Sequence, residues 1–297
     1  MVSQLAGQAC RKRVAVVCAA DESTRRSVAR AVEQGWAEAV FVGRVEALRG
    51  CADLAGLSAD RVTFVEAESD ESAALKAVEL VRGGQADVLM KGLVRTDVLL
   101  RAVLDKANGL LPAGRVMTHV AVASVPAYDK LLFFSDAAVI PYPTQAQRFA
   151  QIEYLTALCR RFGVACPKVA LLHCSEKPNA KHFPFTVGYA DLITEAQRGA
   201  FGPCVVDGPL DLRVSCSVQS MHAKHIDSPL CGAADALIFP DIESGNLFYK
   251  TVTLFAGALV AGMLQGTMVP VVLPSRGDDS DSKFNSLALA CLDGPAV

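Results

Sequence analysis

Val271-Val272-Leu273-Pro274-Ser275-Arg276-Gly277-Asp278-Asp279-Ser280-Asp281-Ser282-Lys283 is the stretch on which the fold of this chain turns. Its apolar residues read as the end of a buried strand, stopped by a proline. A small, polar, Gly-containing turn follows, and a helix is expected from about residues 280–283. Free backbone N–H groups and the positive end of a helix dipole gather at such a turn. Here they lie beside the guanidinium of Arg276, a combination that suits a phosphate. A strand–turn–helix junction is also the usual ligand position in an open parallel sheet. The plainer alternative is an ordinary capped helix, because Ser and Asp are preferred N-caps.

The chain before this stretch has the same rhythm. Residues 14–20, 39–43, 61–67 and 86–91 read as strands, and 21–36, 44–54, 71–81 and 96–107 as the helices between them. Strict βα alternation over the first ~110 residues predicts a parallel sheet with right-handed crossovers. The middle departs from it. Two apolar runs, 118–125 and 131–140, flank a short turn and predict a hairpin, which makes the sheet mixed. Helix 145–162, strand 168–174, a proline-containing loop over 176–184, helix 187–198 and strand 203–206 follow. Helix 217–225, strand 236–239, a long helix 245–266, strand 269–273 and helix 282–292 complete the pattern. No Ser/Gly-rich linker marks a boundary, so a second domain would be entered through ordered segments, with the last strand and helix returning to the first.

Composition fits an α/β class. The 297 residues are 52% hydrophobic and only 6% aromatic, with Ala, Val and Leu carrying the apolar content. That mixture suits parallel strands covered by helices on both faces. A formal net charge of -2 with no long basic run argues against nucleic acid and anionic membrane as partners. The longest apolar segment, 252–264, is too short to span a bilayer, and no convincing signal peptide opens the chain. The ten cysteines, at 10, 18, 51, 159, 166, 174, 204, 216, 231 and 291, form no CxxC and no regular framework. They read as reduced thiols of a cytoplasmic protein.

Four polar clusters fall where predicted strands end. Lys91-Gly92-Leu93-Val94-Arg95-Thr96 supplies two cations, a glycine for close backbone approach and a threonine able to cap the next helix, with Arg101 further in. Asp207-Gly208-Pro209 is good turn chemistry. Pro240-Asp241-Ile242-Glu243-Ser244-Gly245-Asn246 runs into Tyr249-Lys250, and the Ser275-Arg276 turn is the fourth. Each alone is weak. Together they indicate a cleft that accepts anions. His222 and His225 make an HxxH without a third partner, which is poor metal chemistry. His119 is a base or a satisfied core histidine. The GxxxxGKS/T, GxSxG and GxGxxG motifs are absent.

Over roughly residues 86–292 the chain resembles the phosphate acetyl/butyryl transferase family. The likeness is most specific in three places. They are Lys91-Gly92…Thr96 with Thr118-His119-Val120 and Ser135-Asp136-Ala137, then the segment from Pro240 to Lys250, and then Ser275-Arg276 running into Lys283 and Ser286-Leu287-Ala288-Leu289-Ala290. The hairpin and the Ser175-Glu176-Lys177 loop look closer to the butyryl branch. The resemblance implies two three-layer αβα domains with a cleft between them, similar to isocitrate and isopropylmalate dehydrogenases. A discontinuous first domain would cover 1–110 plus 268–297, and a second, dimer-forming domain 111–267.

It also implies exchange of a short acyl group between coenzyme A and inorganic phosphate in a ternary complex, with no cofactor, no metal and a homo-oligomer. Ser275 and Arg276 match the family's Ser-Arg pair. The family's catalytic aspartate lands on Ser282 by strict offset, leaving Asp278 and Asp281 as equal candidates, with Asp279 also near. Implied substrate-binding positions are Lys91, Gly92, Thr96, Arg101 (with one residue of slippage), His119, Asp241, Asn246 and Lys250. One departure is Asp211-Leu212-Arg213-Val214-Ser215, where the butyryl branch usually resembles Ala-Leu-Asp-Asn-Ala. Two rival classes stay open at this point. Asp207, Asp241 and residues 278–281 leave room for a metal- and NAD-dependent 2-hydroxy acid dehydrogenase, and the fold would also serve a non-catalytic acyl-CoA sensor.

Overall fold

The structure is a computed structural model that describes residues 1–7 and 11–293; Cys10 and the 294–297 end of the expected first domain lie outside the described residues. In chain order the elements are α1 (Val2–Ala6), β1 (Lys12–Val17), α2 (Glu22–Glu33), β2 (Ala37–Gly43), α3 (Val45–Arg49), β3 (Val62–Glu66), α4 (Asp70–Arg82), β4 (Val88–Lys91) and α5 (Thr96–Val103). Next come β5 (Thr118–Ser124), β6 (Leu132–Ser135), α6 (Gln145–Arg161), β7 (Lys168–Leu172), α7 (Tyr189–Gln197), β8 (Val205–Leu210), α8 (Leu212–Cys216) and α9 (Val218–Ala223). The last are β9 (Ala236–Ile238), α10 (Ile242–Phe255), β10 (Leu259–Gln265), β11 (Val271–Val272) and α11 (Ser280–Asp293).

The chain is α/β and divides into two compact units, Met1–Met117 with Ala261–Val297, and Thr118–Val260. The crossings fall at 117 and 261 instead of the expected 110 and 268. The outgoing connection stays with the first unit because Met268 N–H bonds to the Leu110 carbonyl at 2.8 Å.

In the first unit the strand order is β3-β2-β1-β4-β11-β10, parallel except for β10 against β11. Val14, Ala15, Val16 and Val17 of β1 are fully buried, as a central strand covered on both faces must be. From β1 the chain steps to β2 and β3, then crosses back beyond β1 to β4. Right-handed crossovers put α4, on the return step, on the opposite face from α2. Accordingly α11 packs on α2 and α5 on α4. The reversal between β1 and β4 is where an open parallel sheet leaves a crevice at its carboxyl ends, and β4 delivers Lys91 there.

In the second unit the order is β5-β6-β9-β7-β8. β5 and β6 form the expected antiparallel hairpin and the other pairs are parallel. Its core holds Phe134, Phe239, Leu237, Leu172 and Val214. Ring contacts centre on Phe134, which meets Phe239 at 6.0 Å and Phe248 at 5.4 Å.

Three expectations are corrected. Residues 245–266 are not one helix: α10 ends at Phe255, Gly257 takes φ +62, and β10 follows. The apolar run 252–264 fits either period, and pairing with β11 decides for strand from Leu259. Asp207-Gly208-Pro209 is not a turn but the middle of β8. β8 ends the strand order, and its pairing with β7 shifts register between Ala170 and Leu172, so an edge position and a bulge accommodate both the Gly and the Pro. Residues 217–225 carry only α9, capped by the Ser217 side chain on Ser220 N–H, with the separate α8 before it.

Candidate active site

In the first unit β11 lies beside β4 in parallel register, Val271 opposite Leu89 and Val272 opposite Met90. The Lys91 turn and the Ser275-Arg276 turn therefore leave the same end of the sheet. Lys91 is 3% exposed, and among the described residues its Nζ reaches only carbonyls, Gly92 at 3.1 Å and Pro274 at 3.5 Å. Burial lowers its pKa, the positive charges of Lys283 and Arg276 push the same way, and Asp21 and Asp278 oppose them. Gly92 is needed for close approach: a Cβ there would stand 2.7 Å from the Val17 carbonyl oxygen and collide with that of Cys18.

The 275–279 turn is closed from within. Ser275 N–H donates to Asp278 Oδ2 at 2.8 Å, Asp278 N–H to the Ser275 carbonyl at 3.2 Å, and Gly277 N–H approaches Ser275 Oγ at 3.5 Å. Asp279 takes the cap position of α11, accepting from Ser282 N–H at 2.8 Å. Ser275 and Arg276 face solvent, and among the described residues Arg276 makes no hydrogen bond or ion pair. The two candidate bases separate here. Asp278 belongs to the Ser275 turn, whereas Asp281 is exposed and paired with Arg30 at 2.7 Å.

Lys283 and Asp21 escaped assignment from sequence. Lys283 is 3% exposed, and its ammonium donates to Asp21 Oδ1 at 2.6 Å, Ser23 Oγ at 2.8 Å and Thr24 Oγ1 at 3.0 Å. Burial alone would raise the Asp21 carboxyl. The hydrogen bonds from Lys283, Thr24 and Ser23 outweigh it and hold the group well below the usual carboxylate range. Asp21 also caps α2 through Thr24 N–H, the role its sequence position predicts. Its second task joins residues 262 apart, which no local pattern records.

Thr96 is the first residue of α5 and does not cap it; Arg95 holds the cap position without a side-chain bond and is paired instead with Asp97 at 2.7 Å. Arg101 points to solvent with a 75% exposed side chain, 3.8 Å from Asp97.

In the second unit a buried carboxylate organises the other positions. Asp136 accepts from Thr118 Oγ1 at 2.7 Å, His119 N–H at 3.0 Å, and Ala138 and Val139 N–H at 2.7 and 2.9 Å. Ser135 Oγ donates to the His119 carbonyl at 2.8 Å. His119 Nδ1 is buried without a partner among the described residues. Burial lowers the His119 pKa against the pull of Asp136, which favours the neutral imidazole.

Asp241 caps α10 on Ser244 N–H at 2.8 Å, and Asn246 Nδ2 donates to the Ala137 carbonyl at 3.0 Å. A Cβ at Gly245 would collide with the Asp136 carbonyl oxygen, so Gly245 and Asn246 dock α10 onto the strand end that holds His119. Lys250, one turn on, is exposed with its ammonium 4.9 Å from the Tyr249 ring centre. A pocket of about 480 Å³ adjoins this turn, walled by Phe183, Phe185, Phe239 and Phe248 with His173 and Asp241. Arg213 is exposed on α8. Among the described residues no group of three or more His, Cys, Asp or Glu is placed to hold a metal ion, and no helix is long and apolar enough to cross a membrane.

Two buried lysines and a guanidinium without a partner among the described residues stand at the carboxyl end of parallel strands, an arrangement whose chemistry suits an anion. Comparison with known proteins specifies it further. A family model described as phosphate acetyl/butaryl transferase matches residues 65–291. Phosphate butyryltransferase of Clostridium acetobutylicum is 40% identical over 95% of this chain and 93% of its own. Phosphate acetyltransferase of Thermotoga maritima is 35% identical over 95% of both chains. The crystal structure of a branched-chain phosphotransacylase from Enterococcus faecalis V583 superposes with a TM-score of 0.81 at 30% identity, covering 95% of this chain and 98% of the other. The chain belongs to the phosphate acetyl/butyryl transferase family.

Proposed function

We propose that this chain is a phosphate acyltransferase of butyryl type, catalysing butyryl-CoA + phosphate = butyryl phosphate + CoA. The observation that carries the reading is the exposed Arg276 guanidinium next to Ser275, without a partner among the described residues, at the sheet end where Lys91 is buried against the Gly92 and Pro274 carbonyls. A desolvated ammonium and an uncommitted guanidinium favour a compact dianion at this point.

Toward acyl-CoA, Asp278 takes the proton of the coenzyme A thiol. The thiolate attacks the carbonyl carbon of the acyl phosphate, the carbon–oxygen bond to phosphate breaks, and phosphate leaves on Arg276, taking the proton from Asp278. Arg276 balances the charge that develops and Ser275 Oγ donates a hydrogen bond to the same centre. In the other direction Asp278 takes the proton of hydrogen phosphate, the phosphate oxygen attacks the thioester carbonyl, the carbon–sulfur bond breaks, and the thiolate takes that proton from Asp278. Asp278 is preferred to Asp281 because it belongs to the Ser275 turn, while Asp281 is occupied by Arg30. Gly92 and Thr96 border the phosphate side, Arg101 reaches for substrate from α5, and His119, Asp241, Asn246 and Lys250 serve from the second unit.

The same reading takes the two units as αβα domains of isocitrate dehydrogenase type with substrates bound in a cleft. It needs no resident cofactor or metal, and it sets the enzyme in the cytoplasm. A homo-oligomer formed through the second unit is supported by α10 and the start of β10, where Leu247, Leu254, Phe255 and Leu259 are 69%, 73%, 81% and 65% exposed.

The test is thiol release from butyryl-CoA, with and without phosphate, and with acetyl-CoA in parallel. An enzyme-only blank is required because Cys166, Cys174 and Cys231 are exposed. Phosphate-dependent release that favours butyryl-CoA is expected. Preference for acetyl-CoA would move the chain to the acetyl branch, and no release with either thioester would reject the transferase.

A further inference from the structure

The second unit carries a pair of thiols that the transfer chemistry does not use. β7 and β8 run parallel, with Lys168 opposite Val205. Cys166 stands two residues before Lys168, and Cys204 immediately before Val205. Val205 N–H donates to the Pro167 carbonyl at 2.9 Å, which holds the two strand starts side by side. We infer that Cys166 and Cys204 are a peroxide-sensitive dithiol, a modification site that closes to a disulfide and staples the edge strand β8 to β7.

The register sets the separation. Carried one step back, it brings Cys204 level with Pro167, the residue after Cys166. Paired strands lie about 4.8 Å apart and rise about 3.3 Å per residue, so the two Cα atoms stand about 6 Å apart, within the span of a disulfide. Each thiol also has a proline beside it, in Cys166-Pro167 and Pro203-Cys204. A proline fixes φ and limits how far the chain can drift there. Arg160 holds the second turn, its Nη1 donating to the Pro203 carbonyl at 3.3 Å.

The two sulfurs have unequal roles. Cys166 is exposed and Cys204 half-buried, so Cys166 meets an oxidant first. Burial pushes the Cys204 thiol up, the neighbouring Cys166 adds to the rise, and Arg160 opposes it. The Cys166 sulfur attacks hydrogen peroxide, the O–O bond breaks, and Cys166 sulfenic acid and water form. The Cys204 sulfur then displaces the hydroxyl from Cys166, the S–S bond forms and a second water leaves. Two thiols are oxidised and one peroxide is reduced to two waters.

β8 ends the strand order, and among the described residues it pairs with β7 alone. A bridge at its start closes residues 166–204 into a covalent loop and restricts the unfolded chain. The thiols lie at the amino ends of the parallel strands. Asp241 follows the carboxyl end of β9, which is paired in parallel with β7, so the bridge acts on the edge strand and not on that turn.

The test is peptide mass mapping of the wild-type protein after stoichiometric hydrogen peroxide, with remaining thiols capped by iodoacetamide before non-reducing digestion. The Cys166 and Cys204 peptides should appear joined, lighter by two hydrogens than their sum, and dithiothreitol should separate them. The oxidised protein should melt ~5 °C above the reduced one, and Cys166→Ser and Cys204→Ser should each abolish the rise. The mapping needs no variant, so it decides the matter even where a serine variant misfolds. Cys204 recovered fully alkylated while Cys166 carries sulfinic acid would overturn the pair. So would a bridge from Cys166 to Cys174, to Cys231 or to a second copy of the chain. A mapped bridge with an unchanged melting temperature would overturn the staple.

Discussion

Two helices of this molecule begin in nearly the same way and end up in opposite circumstances. α10 and α11 each follow a strand and a proline, and each starts behind an aspartate that accepts a backbone N–H three residues on, Asp241 from Ser244 and Asp279 from Ser282. The first turn of α10 is tied down, with Gly245 pressed on the Asp136 backbone and Asn246 bonded to Ala137. The turn into α11 is closed only on itself, and it offers Ser275 and Arg276 to solvent above two buried lysines. Capping chemistry is common to both. What each turn faces separates a docking joint from the turn proposed to hold phosphate.

Disabling the open turn should have the largest effect. Arg276→Ala should cut phosphate-dependent acyl transfer by ~10²–10³ with little change in melting temperature, because the guanidinium is exposed and has no structural partner among the described residues. Activity retained in a folded variant would put the phosphate elsewhere.

Next comes the support beneath it. Lys283→Met leaves Asp21 without its main counter-charge and should lower stability by ~3 kcal/mol, read from urea midpoints. The linkage has a definite sign. Asp21 titrates lower in the fold than in the unfolded chain, so its contribution is complete above the unfolded value of about 4 and fades as pH falls through the lowered folded value. Asp21→Asn should therefore lose stability at neutral pH, and it should lose less than the wild type when both are taken to pH ~3.

The tied turn is expected to fail by strain. Gly245→Ala drives a methyl into the Asp136 carbonyl oxygen and to 3.1 Å from the Phe239 ring, at a cost of ~1–3 kcal/mol. A wild-type midpoint would mean that α10 can slide, and the contrast between the two turns would weaken. The smallest effect should come from Asp281→Asn, which removes an exposed pair with Arg30 worth under ~1 kcal/mol and should leave turnover within about twofold. Asp278→Asn should fall well below it in turnover, and the reverse order would exchange their roles.

Much of the fold is legible in the sequence alone. Alternating strands and helices and the 118–140 hairpin follow from period and punctuation. The departures have identifiable sources. Asp207-Gly208-Pro209 has turn composition, yet an edge strand has no second neighbour to demand the missing proline N–H. Residues 252–264 are apolar throughout, so no period favours helix over strand until β11 supplies a partner for Leu264.

Short-range chemistry, carried in the sequence, was enough for the class of fold and for placing Lys91, Ser275 and Arg276 just where strands end, while the family came from the resemblance of its motifs. Caps, turns and hydrophobic periods act over a few residues and leave a visible pattern. Which charges are paired and which stay free was set by packing. Asp21 and Lys283 meet across 262 positions, Asp281 is drawn to Arg30 and Asp278 stays at the Ser275 turn. Those pairings arise because parallel strands gather their carboxyl ends from remote parts of the chain, and burial there strengthens every charge that remains.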